Sequence, residues 1–121
     1  MRQTLKILVA TSALLIGSQL AHAANSVPFP AMADPEAACR DLSPTPSTGY
    51  NVCLSLNQEG YDNARAVWDQ LSQSSAEFCA EYTPKIKPFD QYDALGACAM
   101  ARFNLDRMQE IMSGVPKSFK W

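Results

Sequence analysis

The side chains with chemistry to offer are four cysteines, a run of methionines and a few helix-spaced carboxylates. Cys39, Cys53, Cys79 and Cys98 form an even set in a short chain. Such a set reads as two disulfides where the compartment is oxidising. Met108 and Met112 stand one helical turn apart, with Met100 and Met32 as further thioethers, a donor type that suits copper(I). The commoner use of methionines beside Leu105 is packing, which is the reading preferred here. Glu59 and Asp62, three residues apart, share a helix face and could form an acid and base pair or a weak calcium site. Arg65 follows Asp62 by three, so a solvated ion pair worth a few tenths of a kcal/mol is the simpler expectation. The ordered Asp/Asn spacing of a calcium loop is absent.

The first 23 residues decide which of these groups work, and where. Arg2 and Lys6 precede an uncharged run from Ile7 to Leu20, and Ala21-His22-Ala23 has the small-x-small form read by signal peptidase. The apolar centre is well short of the ~20 residues that span a bilayer, so cleavage after Ala23 is expected rather than membrane anchoring. Cleavage removes two of the ten cations and none of the twelve acids, taking the net charge from −2 to −4. That acidic balance, with scattered cations, argues against nucleic acid as a partner. His22, the one histidine, leaves with the signal. Histidine bases, Ser-His and Cys-His nucleophiles, and His- or Cys-based zinc sites are therefore not expected in the exported chain. Its glycines are isolated, so it has no phosphate loop either.

The elements that must position the remaining groups are helices. Residues 24–33, with Pro28 and Pro30, form an extended leader to a domain over 34–114, and residues 115–121 form a tail. Asp34-Pro35-Glu36 has the order of an N-cap, a first-turn proline and an early acid, and Pro44 and Pro46 stop the short helix that follows. Ser47 or Thr48 caps a long helix whose stripe of Tyr50, Leu54, Asn57, Tyr61, Ala64, Trp68 and Leu71 alternates steps of four and three. Gly60 lies within this helix at a cost of about 1 kcal/mol relative to alanine, which marks a kink or a close helix contact. Ser74-Ser75 is the expected cap of a second short helix carrying Phe78, Cys79 and Tyr82. A last helix runs from near Pro88 to about Met112, with Gly114 and Pro116 as stops. Tyr92, Leu95, Ala99 and Phe103 share one face of it, and Ala101, Leu105, Met108 and Met112 share another. Burial on both sides is the expectation, against the long helix on one side and a short helix, the tail or a second subunit on the other.

The halves read as diverged copies. Cys39-Arg40-Asp41-Leu42-Ser43-Pro44 matches Cys79-Ala80-Glu81-Tyr82-Thr83-Pro84 as Cys, any residue, acid, large apolar, hydroxyl, proline. Each match leads through a loop to Tyr50 or Tyr92 and then to Cys53 or Cys98. Spacing alone allows three disulfide pairings, and the repeat favours Cys39 with Cys53 and Cys79 with Cys98. The positions Cys53, Glu59, Tyr61, Arg65, Trp68, Cys79, Tyr92, Leu95 and Cys98, spread over about half the chain, resemble those of a loose group of small exported four-cysteine helical proteins of Gram-negative bacteria. That resemblance implies export, helices and disulfides, and carries no activity to transfer.

The fold expected is all-α: two diverged short-helix, loop, long-helix units packed as a small disulfide-stapled hairpin or bundle. The function expected is non-enzymatic binding in the periplasm or outside the cell, with no catalytic, metal or cofactor residue assigned. The contact residues assigned for a protein or envelope partner are Leu105, Met108 and Met112, together with Phe119 and Trp121 of the tail, a short segment whose simpler use is to fold back onto its own domain. Methionine-based copper(I) binding and carboxylate-dependent hydrolysis are the alternatives.

Overall fold

The computed structural model describes residues 25–43 and 48–114. Four α-helices account for most of them: α1 (Pro35–Leu42), α2 (Thr48–Val67), α3 (Gln73–Tyr82) and α4 (Gln91–Ser113). Among the described residues there is no strand, and no helix is long and apolar enough to cross a membrane. The signal segment, Ser47 and the tail lie outside the described residues.

Local chemistry accounts for the helix ends. Asp34 Oδ1 accepts from the Glu36 N–H at 3.0 Å and caps α1, with Pro35 at its first position. Ser72, two residues ahead of the expected Ser74-Ser75 pair, caps α3 by accepting from the Ser75 N–H at 3.3 Å. The two copies of the repeat close alike: the Ser43 N–H returns to the Cys39 carbonyl, and the Thr83 N–H to the Cys79 carbonyl. α4 is preceded by a 3₁₀ turn over Pro88–Asp90 and ends at Gly114.

α2 and α4 form the central pair, and they cross on glycine. A Cβ on Gly96 would lie 2.5 Å from the Gly60 Cα and carbonyl oxygen, and one on Gly60 would meet the Tyr92 carbonyl and the Asp93 Cα. Gly60 therefore marks close helix contact, and main chain meets main chain there. Beyond the crossing, Ala64, Val67, Trp68, Leu71, Ala76, Cys79, Leu95 and Ala99 form the core. α2 stops at Val67, short of its expected end. A 3₁₀ turn over Trp68–Gln70, closed by the Leu71 N–H on the Trp68 carbonyl, carries the last two members of the stripe inward.

The disulfides join Cys39 to Cys53 and Cys79 to Cys98, each with a Cα separation of 5.8 Å. Each ties a short helix to its long one, as the repeat predicts. A core this small leaves much of the stability to its staples, roughly 3 kcal/mol apiece in the chain-entropy picture.

The leader is extended, and it lies across the helices. The Asn25 side chain donates to the Trp68 and Leu71 carbonyls, and the Trp68 indole N–H donates to the Val27 carbonyl at 2.9 Å. Phe29 packs edge-to-face on Tyr61 and Trp68. No short helix covers the second face of α4. Tyr92, Leu95, Ala99 and Phe103 pack inward, whereas Ala101 and the rest of the second face are exposed among the described residues. α3 packs beside α4 from the Cys79–Cys98 disulfide to Asp106 and leaves Ala101 and Leu105 uncovered, and the turns of α4 beyond Asp106 extend past it.

Candidate functional site

Two polar hubs, one buried and one half-buried, hold the helices in place. The Asn57 side chain, 2 % exposed, donates to the Phe89 carbonyl at 2.7 Å and the Cys53 carbonyl at 2.9 Å. Its oxygen accepts from the Tyr92 and Asp93 N–H groups, satisfying free donors in the first turn of α4. Asp106 does the same for α3. It accepts from the Ser72 N–H at 2.8 Å, the Ser72 hydroxyl at 3.0 Å and the Ser75 hydroxyl at 2.8 Å. A carboxylate at a helix N-terminus is favoured by both the free N–H groups and the dipole. Each hub has its hydrogen bonds met within the chain, which makes it a fastening.

The carboxylates considered for acid and base work are solvated. Glu59 and Asp62 are exposed. Asp62 accepts from Gln58 Nε2 at 3.0 Å instead of pairing with Arg65. The Arg65 guanidinium lies 4.4 Å from the Phe29 ring centroid, and its Nε donates to the Tyr61 hydroxyl at 3.4 Å. An expected ion pair is thus replaced by a cation on an aromatic face. The methionines are split between two settings. Met32 and Met100 pack against the core, Met32 Sδ taking the Thr83 hydroxyl, while Met108 and Met112 lie in solvent on α4.

What the fold does present is an apolar stripe on the far end of α4. Leu105, Met108, Ile111 and Met112 are 39 %, 58 %, 70 % and 80 % exposed, rising toward the helix end. Leu105, Met108 and Met112 share one face through their steps of three and four, and Ile111 widens it. Arg107, Gln109 and Glu110 are exposed beside them and give the stripe a polar margin. Three of the four are residues expected from the sequence. Ile111 is the addition, and its position three residues after Met108 is the signal that marks it. Phe119 and Trp121 lie outside the described residues.

A concavity opens where α1, α2 and α4 meet. Pro35, Leu54, Asn57, Gln58, Tyr61 and Tyr92 line a cleft of about 250 Å³. Tyr61 and Tyr92 meet edge-to-face in its wall, 5.4 Å between centroids. Comparison of the chain with protein-family models, with curated proteins and with solved structures returned no match.

Proposed function

We propose that the protein acts by contact, as a small binding or accessory component of the cell envelope, exported and cleaved after Ala23. The observation that carries this reading is the stripe of Leu105, Met108, Ile111 and Met112. Large apolar side chains held in water on one helix face, with a polar margin, have the composition of a contact core and its rim. Two disulfides and described helices too short or too polar to span a bilayer fit an exported chain. Phe119 and Trp121 of the tail are part of the same proposal, as contact residues.

The test replaces Leu105, Met108, Phe119 and Trp121 singly, then compares folding and captured partners from an envelope extract with those of the unaltered protein. The expected outcome is loss of one specific partner with the fold retained. Turnover of a defined substrate that Glu59→Gln abolished, fold intact, would replace this reading with the carboxylate enzyme. Mass spectrometry of periplasmic material checks the cleavage: an N-terminus at or near Ala24 is expected, and recovery only as a full-length membrane species contradicts it.

A further inference from the structure

Residues 25–33 make no backbone-to-backbone hydrogen bond with the rest of the described chain. Side chains from the 3₁₀ turn, α3 and α4 reach their main chain instead. Trp68 Nε1 donates to the Val27 carbonyl, Gln73 Oε1 accepts from the Ser26 N–H at 2.9 Å, and Gln91 Oε1 accepts from the Ala33 N–H at 2.9 Å. The Tyr92 hydroxyl accepts from the Met32 N–H at 3.3 Å. Between these ties Phe29, flanked by Pro28 and Pro30, inserts its ring between Tyr61 and Trp68, with the Arg65 guanidinium over its face.

This is the chemistry by which proteins hold a separate extended peptide. Indole, amide and phenol groups address the main chain, an aromatic pocket takes one side chain, and prolines hold the segment extended at low entropic cost. None of these contacts depends on the segment belonging to the same chain.

We propose that the groove walled by Tyr61, Trp68, Gln73, Gln91 and Tyr92 is a receptor for extended peptide segments bearing an aromatic residue between two prolines. Residues 25–33 are its resident ligand, exchangeable for such a segment of another chain. The leader's downstream end runs into α1, which the Cys39–Cys53 disulfide fixes, so release peels it away from Asn25. The open 250 Å³ cleft shares Tyr61 and Tyr92 with the groove, which gives a longer incoming segment apolar surface that the resident one leaves uncovered. The site is separate from the α4 stripe, and either can fail without the other.

The test uses the full oxidised chain carrying Trp121→Phe, so that Trp68 is its sole tryptophan. A synthetic peptide with the sequence of residues 25–33, ends capped, is titrated against this chain while Trp68 emission is followed. Two further variants weaken the resident segment: Phe29→Ala empties the aromatic pocket, and Asn25→Ala unhooks the end and serves if Phe29→Ala does not fold. The expected result is saturable binding to the variant chains, at least about tenfold tighter than to the chain with its own leader intact, because the tethered segment competes at high effective concentration. A peptide with alanine in place of the phenylalanine should not saturate. A folded variant that ignores the peptide, equal binding to variant and parent chains, or equal binding of the alanine peptide would overturn the proposal.

Discussion

The two ends of α4 both carry apolar side chains and meet opposite surroundings. From Gln91 to Ala99 the helix turns one face into the core: Leu95 and Ala99 have no exposure, Gly96 meets the main chain of α2, and Asn57 fastens its first turn. From Leu105 to Met112 it carries larger apolar side chains, yet they stand in water. What separates the ends is company: α2 and the leader gather at the near end, while α3, which reaches as far as Asp106, leaves the stripe beside it uncovered. Apolar character sets what a helix can bury, and the neighbours set what it does bury.

The contrast predicts a steep gradient of mutational cost, which four substitutions would break or sharpen. Trp68→Ala should cost most. The ring is 2 % exposed and gives its indole N–H to the leader, so a loss of about 3 to 5 kcal/mol is expected in denaturant unfolding. An exposed, easily quenched Trp68 would contradict its place in the core.

Gly96→Ala comes next. Alanine normally favours a helix by about 1 kcal/mol over glycine, but here its methyl would enter the Gly60 main chain, and main chain cannot turn aside as a side chain does. A net loss of about 3 kcal/mol, read as a lower thermal midpoint, is the expected result. A stabilised variant would mean that the helices do not cross on these glycines.

Asp106→Ala should cost about 2 kcal/mol, since it strips three charge-assisted hydrogen bonds from the start of α3. Asn at the same position should recover part of the loss, because one amide oxygen still caps. Met112→Ser should change stability by no more than about 0.5 kcal/mol, as at an ordinary surface site. A larger loss would place the far end of α4 against something within the chain.

The parts legible in the sequence are those governed by local spacing. Steps of three and four along α2 mark its inner face, Asp34-Pro35-Glu36 marks the start of α1, and the matched segments at Cys39 and Cys79 indicate the disulfide pairs. Long-range polar ties are not written this way. Asp106 caps a helix that begins more than thirty residues earlier, and nothing around Asp106 records the Ser72 and Ser75 it will meet. The docking of the leader is hidden for another reason: a proline-held segment has no periodicity to reveal which side it buries. The second face of α4 was legible as apolar but not as exposed, because pattern reports composition and cannot count the partners available.

On the proposed function, the apolar stripe at the far end of α4 serves contact and not the fold. The most direct test of this claim is site-specific photocrosslinking in the envelope, with the reactive group at Met108 and with or without Leu105→Asp in the same chain. The contact reading predicts a discrete crosslinked product that Leu105→Asp abolishes while the unfolding midpoint stays unchanged. A product that survives Leu105→Asp, or a midpoint that falls as far as for Gly96→Ala, would contradict it.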